Sequence, residues 1–268
     1  MSGNSISKRR VTQRPEGRLK RVGLFATCLV DLTRPVVGFA AARLIEQAGY
    51  EVVVPKAQTC CGQPAYNSGD SAAAAAIARQ VIETFEGFDY LVAPSGSCAG
   101  MIKVHFLQLF ANDPIWGPRA TGLASKTYEL TQFLHNIAQI NDLNAAWPAV
   151  ATYHDSCSGL RELMINLEPR RLLDGVDGLV LKEASDVEVC CGFGGLFSIK
   201  YPDISGNVVD AKATAIENTA VELLLGGDLG CLINISGRLK RCGSAIMVRH
   251  VAEVLAGFDD APAIGDAE

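Results

Sequence analysis

Apolar and polar positions along this chain fall into blocks that occur twice. Arg21 to Thr27 and Ala149 to His154 are short apolar runs bounded by polar residues, the make-up of buried strands. After each comes a stretch with apolar residues at three- and four-residue spacing, Val36 to Ala48 and Leu160 to Leu173, closed by Gly49 and Gly175. That is the pattern of an amphipathic helix ended by glycine. A second strand follows in both copies, Glu51 to Pro55 and Gly178 to Glu183, then a second helix, Ala72 to Phe85 and about Val208 to Ala220. The third strand is predicted at Tyr90 to Ala93 and at about Leu229 to Ile233, with a third helix beginning near Cys98 and near Gly237. Strand–helix repeated three times predicts a small parallel sheet with right-handed crossovers. The fold class expected is therefore α/β, two pseudo-repeated Rossmann-like domains related by internal duplication.

The period is near 130 residues, which in a chain of 268 allows two domain-sized halves. We expect a basic tail over 1–20, a first domain with a connector over 21–146, a second domain over 147–258 and a loose acidic tail over 259–268. The connector from about Asn112 to Pro148 has no evident counterpart after Cys231, and Thr127 to Ile140 within it reads as an amphipathic helix.

Hydrophobic residues make up 49% of the chain and charged residues 20%, an ordinary globular composition. The formal net charge of −5 argues against a general nucleic-acid footprint. Lys8, Arg9, Arg10, Arg14, Arg18, Lys20 and Arg21 crowd the start, which reads as a solvated arm or as a docking arm for an acidic partner. The apolar run after it is broken by Asp31 and Arg34 and has no clean small-residue cleavage site, so it reads as the first strand and not as a secretory or twin-arginine signal. No stretch approaches the ~18 uninterrupted apolar residues of a membrane span.

Chemistry enters with the cysteines. Eight of the nine form two copies of one pattern: Cys28, Cys60-Cys61-Gly62, Cys98, and then Cys157, Cys190-Cys191-Gly192, Cys231. The lone Cys and the pair are separated by 32 and 33 positions in the two copies. Each group is expected just after a strand, at the carboxyl edge where open α/β sheets carry their sites, so four thiols per half should converge. The helices starting there would turn their positive ends toward a thiolate-rich group. Gly62 and Gly192 permit a tight turn after each pair, and Gly192-Phe193-Gly194-Gly195 offers bare backbone amides. Eight buried cysteines with no ligand is the plain alternative. Four thiolates also suit zinc, but structural zinc prefers spaced Cys-x2–4-Cys pairs, whereas a multi-iron cluster presents separate irons to adjacent sulfurs. Iron–sulfur is thus the reading for the second half; the first half stays open to iron–sulfur or zinc.

Taken together, these motifs resemble the cysteine-rich CCG-domain family. Its members include a subunit of heterodisulfide reductase and the iron–sulfur subunits of glycolate oxidase and anaerobic glycerol-3-phosphate dehydrogenase. The resemblance is carried by Thr59-Cys60-Cys61-Gly62-Gln63-Pro64-Ala65, Pro94-Ser95-Gly96-Ser97-Cys98, His154-Asp155-Ser156-Cys157, Val189-Cys190-Cys191-Gly192-Phe193-Gly194-Gly195 and Asn234-Ile235-Ser236-Gly237-Arg238-Leu239, and covers roughly residues 21 to 257. The layout is most similar to the family's lactate-utilization branch. That resemblance implies a cytoplasmic electron-transfer subunit with one or two 4Fe-4S clusters, held by Cys28, Cys60, Cys61 and Cys98 and by Cys157, Cys190, Cys191 and Cys231. It implies as partners a ferredoxin-like iron–sulfur subunit and a third lactate-utilization subunit, together oxidising L-lactate to pyruvate. The wider family often ends its motif Cys-x-x-Cys; here Met101 and Asn234 stand at those positions, which favours an ordinary 4Fe-4S site or one short of a ligand.

Four residues stay ambiguous. His154 could accept a proton or hydrogen-bond a cluster thiolate, or it and Asp155 could be polar groups satisfied beside the site. Arg238 could hold a substrate carboxylate or simply balance a thiolate-rich edge. Cys242, on the last predicted helix, reads as a buried apolar residue. No flavin or nicotinamide fingerprint is visible, so the chain is not expected to run a whole redox reaction alone. The competing functions are a cluster-based disulfide reductase subunit of the heterodisulfide type and a zinc-stapled scaffold without redox role.

Overall fold

The computed structural model describes residues 18–140, 143–185 and 187–266; Lys8, Arg9, Arg10 and Arg14 of the basic tail lie outside them. The first half is a parallel sheet of four strands, β1 (Arg21–Leu24), β2 (Glu51–Val53), β3 (Tyr90–Ala93) and β4 (Thr127–Glu129), in the order β2-β1-β3-β4. The second is its copy, with β5 (Ala146–His154), β6 (Asp177–Leu181), β7 (Leu223–Gly226) and β8 (Met247–His250) in the order β6-β5-β7-β8. The central strand of each half pairs in parallel on both sides: Gly23 sits opposite Val53 and Leu91, and Ala151 opposite Leu181 and Leu223. A strand flanked on both edges and covered by helices must be apolar throughout, as Val22 and Leu24 in β1 and all of β7 are. The internal duplication expected from the pattern is thus present as two four-stranded α/β halves.

Four expectations fail in detail, three of them within the two halves. The third strand of the second half is Leu223–Gly226, not Leu229 to Ile233, and Leu229–Arg241 is one helix rather than a strand followed by a helix from Gly237. Asp228 decides this, because its side chain accepts from the Gly230 amide and starts the helix directly after the strand. Leu160 to Leu173 is not continuous either: Cys157–Arg161 and Leu167–Leu173 are separate helices. Pro169 lacks an amide hydrogen and is tolerated only in a helix's first turn, so the second helix has to begin just before it. Finally, the connector does have a counterpart. Thr127 begins as β4, and only from Leu130 does the chain turn helical, just as β8 leads into the helix Val251–Ala256.

These fourth units join the halves. Every residue of Val251–Ala256 is buried, and the helix packs on Val37, Ala40, Ala41, Leu44 and Ile45 of Pro35–Gln47 in the first half. The pseudo-symmetric contact sets Leu130, Phe133 and Leu134 against Leu172 and Leu173 of the second half. Each fully buried Val, Leu or Ile contributes about 1.5–3 kcal/mol, so the two contacts make one continuous core. Arg34 reinforces the first contact with a bidentate pair to the buried Glu253, at 2.7 and 3.0 Å. The acidic end of the chain, expected to be loose, is packed as far as Asp266. Ile264 is buried, its amide donates to the Val248 carbonyl at 2.8 Å, and Lys240 ion-pairs with Asp266. Among the described residues no helix is long and apolar enough to cross a membrane.

Candidate metal centre

Each cysteine group is set by a local rule. Thr27 and Ser156 follow β1 and β5 in extended conformation and cap the helices that come next, accepting from the Val30 and Gly159 amides at 3.3 and 3.2 Å. Cys28 and Cys157 are therefore first residues of helices. Ser95 and Asp228 do the same after β3 and β7, which puts Cys98 and Cys231 in the first turns of Gly96–Gly100 and Leu229–Arg241. The Cys-Cys pairs lie on turns closed by Gly62 and Gly192 at φ +84° and +83°, a conformation that costs an L side chain about 1 kcal/mol or more. A Cβ on Gly192 would also stand 2.7 Å from the Ser205 carbonyl oxygen. In both turns the glycine amide points at the first cysteine of the pair, Gly62 N to Cys60 Sγ at 3.5 Å and Gly192 N to Cys190 Sγ at 3.3 Å.

All eight cysteines of the double pattern come together in two quartets. Cys28 and Cys60 are 3.9 Å apart at sulfur, and Cys60, Cys61 and Cys98 continue the chain of contacts. In the second half Cys157, Cys190, Cys191 and Cys231 are linked in the same order. The hydrogen bonds that Cys28 and Cys61 direct at Cys60 hold its thiol down at about 2, and those from Cys157 and Cys191 do the same for Cys190. Donating those bonds, and burial behind them, push Cys28, Cys61, Cys157 and Cys191 up. Cys231 accepts from Cys191, which favours its thiolate, but burial beside Asp228 and Cys190 outweighs this and leaves its thiol above the usual value. A quartet without a cation thus stabilises one thiolate. A cationic centre would draw the remaining protons off, and this donor set, soft sulfurs at helix amino ends, fits such a group.

The other candidates divide. His154 ends β5 beneath the second quartet, 2% exposed, with its nearest ring nitrogen and the sulfurs of Cys191 and Cys231 all within 4.8 Å of one another. Burial holds its imidazole neutral, lowering its pKa to about 3, and neither ring nitrogen has a hydrogen-bond partner among the described residues. The reading of His154 as a satisfied polar group is therefore corrected. Asp155 turns away and accepts from both terminal guanidinium nitrogens of Arg170, at 3.0 and 2.8 Å. Arg238 ion-pairs with Asp210 and does not line the cleft at the second quartet. Cys242 is exposed at the end of its helix, not buried, because the helix stops there and Gly243 takes the chain away at φ +78°. Asn234, in place of a fifth thiol, ties the Cys-Cys-Gly turn by donating to the Cys191 carbonyl at 2.9 Å.

That cleft, about 280 Å³, is roofed by both halves: Gln63, Asn67, Ser97 and His105 from the first, Ser158, Glu162 and Gly194 from the second. A second opening of about 400 Å³ exposes Cys28 and Cys60, bordered by Asp31, Leu32 and Lys56. The sequence reading missed Asp228, whose Oδ2 accepts from Ser95 Oγ at 3.0 Å and Ser97 N at 2.9 Å across the two halves. Its signal was present, a capping residue three positions before Cys231 that matches Ser95 before Cys98. His105 and Glu162, which pair across the cleft at 3.2 Å, carried no such signal.

The sequence profile of the cysteine-rich domain CCG matches residues 22–103 and 151–236, one match on each quartet. The chain belongs to the CCG family. This CCG protein is 49% identical over 239 residues to lactate utilization protein A of Exiguobacterium sp. AT1b, covering 88% of this chain and 97% of that one. It is 46% identical to lactate utilization protein A 2 of Bacillus mycoides KBAB4 and to lactate utilization protein A of Bacillus thuringiensis Al Hakam, in both cases over 88% of this chain and 98% of the relative.

Proposed function

We propose that this CCG protein is an iron–sulfur electron-transfer subunit in the oxidation of L-lactate to pyruvate. The observation that carries the reading is the convergence of two equivalent thiol quartets at sheet edges, in a chain nearly half identical to proteins named for lactate utilization. Cys28, Cys60, Cys61 and Cys98 would hold one centre and Cys157, Cys190, Cys191 and Cys231 the other. A bound 4Fe-4S group supplies one-electron transfer. The chain's own residues position and insulate it. The Gly62 and Gly192 turns bring bare backbone close and aim their amides at the sulfurs of Cys60 and Cys190, and burial of Cys61, Cys98, Cys191 and Cys231 keeps water from one side. Cys28, Cys60, Cys157 and Cys190 remain partly exposed, so each centre has an outward edge from which an electron can reach a partner. A ferredoxin-like iron–sulfur subunit and a third lactate-utilization subunit are the partners this reading calls for, in the cytoplasm.

The test is iron, sulfide and zinc content of protein made without oxygen, with Cys60, Cys157, Cys191 and Cys231 changed singly to Ser. Iron with sulfide, lost from the second half in each of the last three variants, is the expected outcome. Zinc without sulfide in either half would overturn the electron-transfer role for that half. Deleting the gene should abolish growth on L-lactate; undiminished growth would remove the lactate assignment.

A further inference from the structure

The two quartets are alike in their sulfurs and unlike in what lies beneath them. His154 stands three positions before Cys157; the residue three before Cys28 is Phe25, a phenyl ring wholly buried in the first half's core. A second difference falls on the long helix behind each pair. Ala74 and Ser205 present the carbonyl oxygen nearest the motif glycine, and seven residues beyond them stand Val81 and Lys212, both buried. The Lys212 ammonium donates to the Val187 carbonyl at 3.1 Å and lies close enough to act electrostatically on both His154 and Cys231. The first pocket is therefore floored by hydrocarbon and the second by a cation and an imidazole.

That imidazole has no structural use that its contacts reveal. A buried polar atom left without a partner costs about 1–3 kcal/mol, and His154 leaves two such nitrogens. Phenylalanine in its place, as in the first half, would remove that cost. A neutral ring nitrogen clustered with Cys191 and Cys231 sulfurs within 4.8 Å is, however, a fitting metal ligand.

We propose that His154 is a nitrogen ligand of the second centre, beside Cys191 and Cys231, so that the two halves hold chemically distinct centres: all-thiolate in the first, mixed sulfur and nitrogen in the second. This rests on the reading of the quartets as metal centres. The buried Lys212 ammonium, close enough to act on Cys231, favours the more negative reduced state of the second centre, which the hydrocarbon floor of the first, with Val81 at the matching position, does not. The chain would then carry a lower-potential centre in its first half and a higher-potential centre in its second, giving electron flow a direction.

The experiment uses full-length protein made without oxygen with 15N-labelled histidine, reduced with dithionite and examined by pulsed electron paramagnetic resonance. The expected result is a directly bound histidine nitrogen whose modulation changes with the label, persists in H105Q and disappears in H154F while iron and sulfide are retained. Iron held by the second quartet with no histidine coupling in the unmutated protein would overturn the inference and leave the metal reading standing, as would a coupling that vanishes in H105Q. Iron content indifferent to Cys191→Ser and Cys231→Ser would sink both together.

Discussion

Asp228 is the residue through which the two halves and the two quartets depend on one another, and its removal has a calculable cost. Its carboxylate is 5% exposed and accepts three hydrogen bonds, from Ser95 Oγ and Ser97 N on Oδ2 and from Gly230 N at 3.2 Å on Oδ1. In D228A the Ser95 hydroxyl can turn to Ser97 Oγ, 3.2 Å away, but the two backbone amides are stranded in a buried place. At about 1–3 kcal/mol for each stranded donor, D228A should lose about 4 kcal/mol. D228N can keep its oxygen toward Ser95 and Ser97 and then strands only Gly230 N, for about 2 kcal/mol. With a urea dependence of about 3 kcal/mol per M, the unfolding midpoints should fall by about 1.3 and 0.7 M respectively. The Gly230 amide lies in the turn that carries Cys231, and Ser97 precedes Cys98, so D228A should also loosen metal in both halves although Asp228 is no ligand. A D228A shift below about 0.3 M, or a D228N shift equal to it, would refute the account of the carboxylate as a two-sided cap.

Other outcomes follow from the same geometry. Burial pushes the Glu129 carboxyl up to about 7, against the opposing bonds from Thr131 and Gln132. The folded protein therefore holds a proton that the unfolded chain has released above about 4.5, and stability falls as pH rises from there to about 7, by roughly 3 kcal/mol; thermal melts of E129Q should be flat across that window. Ala at Gly62 meets a positive φ, side-chain atoms of Ile77 at 3.3 Å and the Ala74 carbonyl at an ordinary 3.6 Å, whereas Ala at Gly192 adds a clash with the Ser205 carbonyl. Melting should show G62A costing about 1 kcal/mol and G192A about 2–4 kcal/mol, with metal loss confined to the mutated half. C242S should leave iron content unchanged and alter stability by no more than about 0.5 kcal/mol, since the thiol is exposed; a loss of iron would make Cys242 a ligand.

The duplication, the class of fold and the grouping of the eight thiols were legible in the chain itself, and for a local reason. Strands buried on both edges are apolar runs, helices show their period, and cysteines placed right after strands are delivered to one sheet edge whatever the details of packing. Where two apolar runs competed, the pattern misled. Leu223–Gly226 and Leu229 to Ile233 are alike in hydropathy, and what separates them is the Asp228 cap and pairing with β5 and β8. The strand β4 was hidden for the same reason, since three residues carry too little pattern to stand out from the helix that follows.

The sequence alone, then, determined which residues gather and in what kind of layer, because those follow from periodicity and from chain order. Only the tertiary structure decided what each gathered residue faces. Asp155 spends its carboxylate on Arg170, Arg238 is held by Asp210, and Cys242 looks outward. His154 alone of these is enclosed beside sulfur with both nitrogens unpartnered among the described residues. Such distinctions arise from contacts between segments remote in the chain, where burial and the presence or absence of a hydrogen-bond partner are set by packing that no local pattern records.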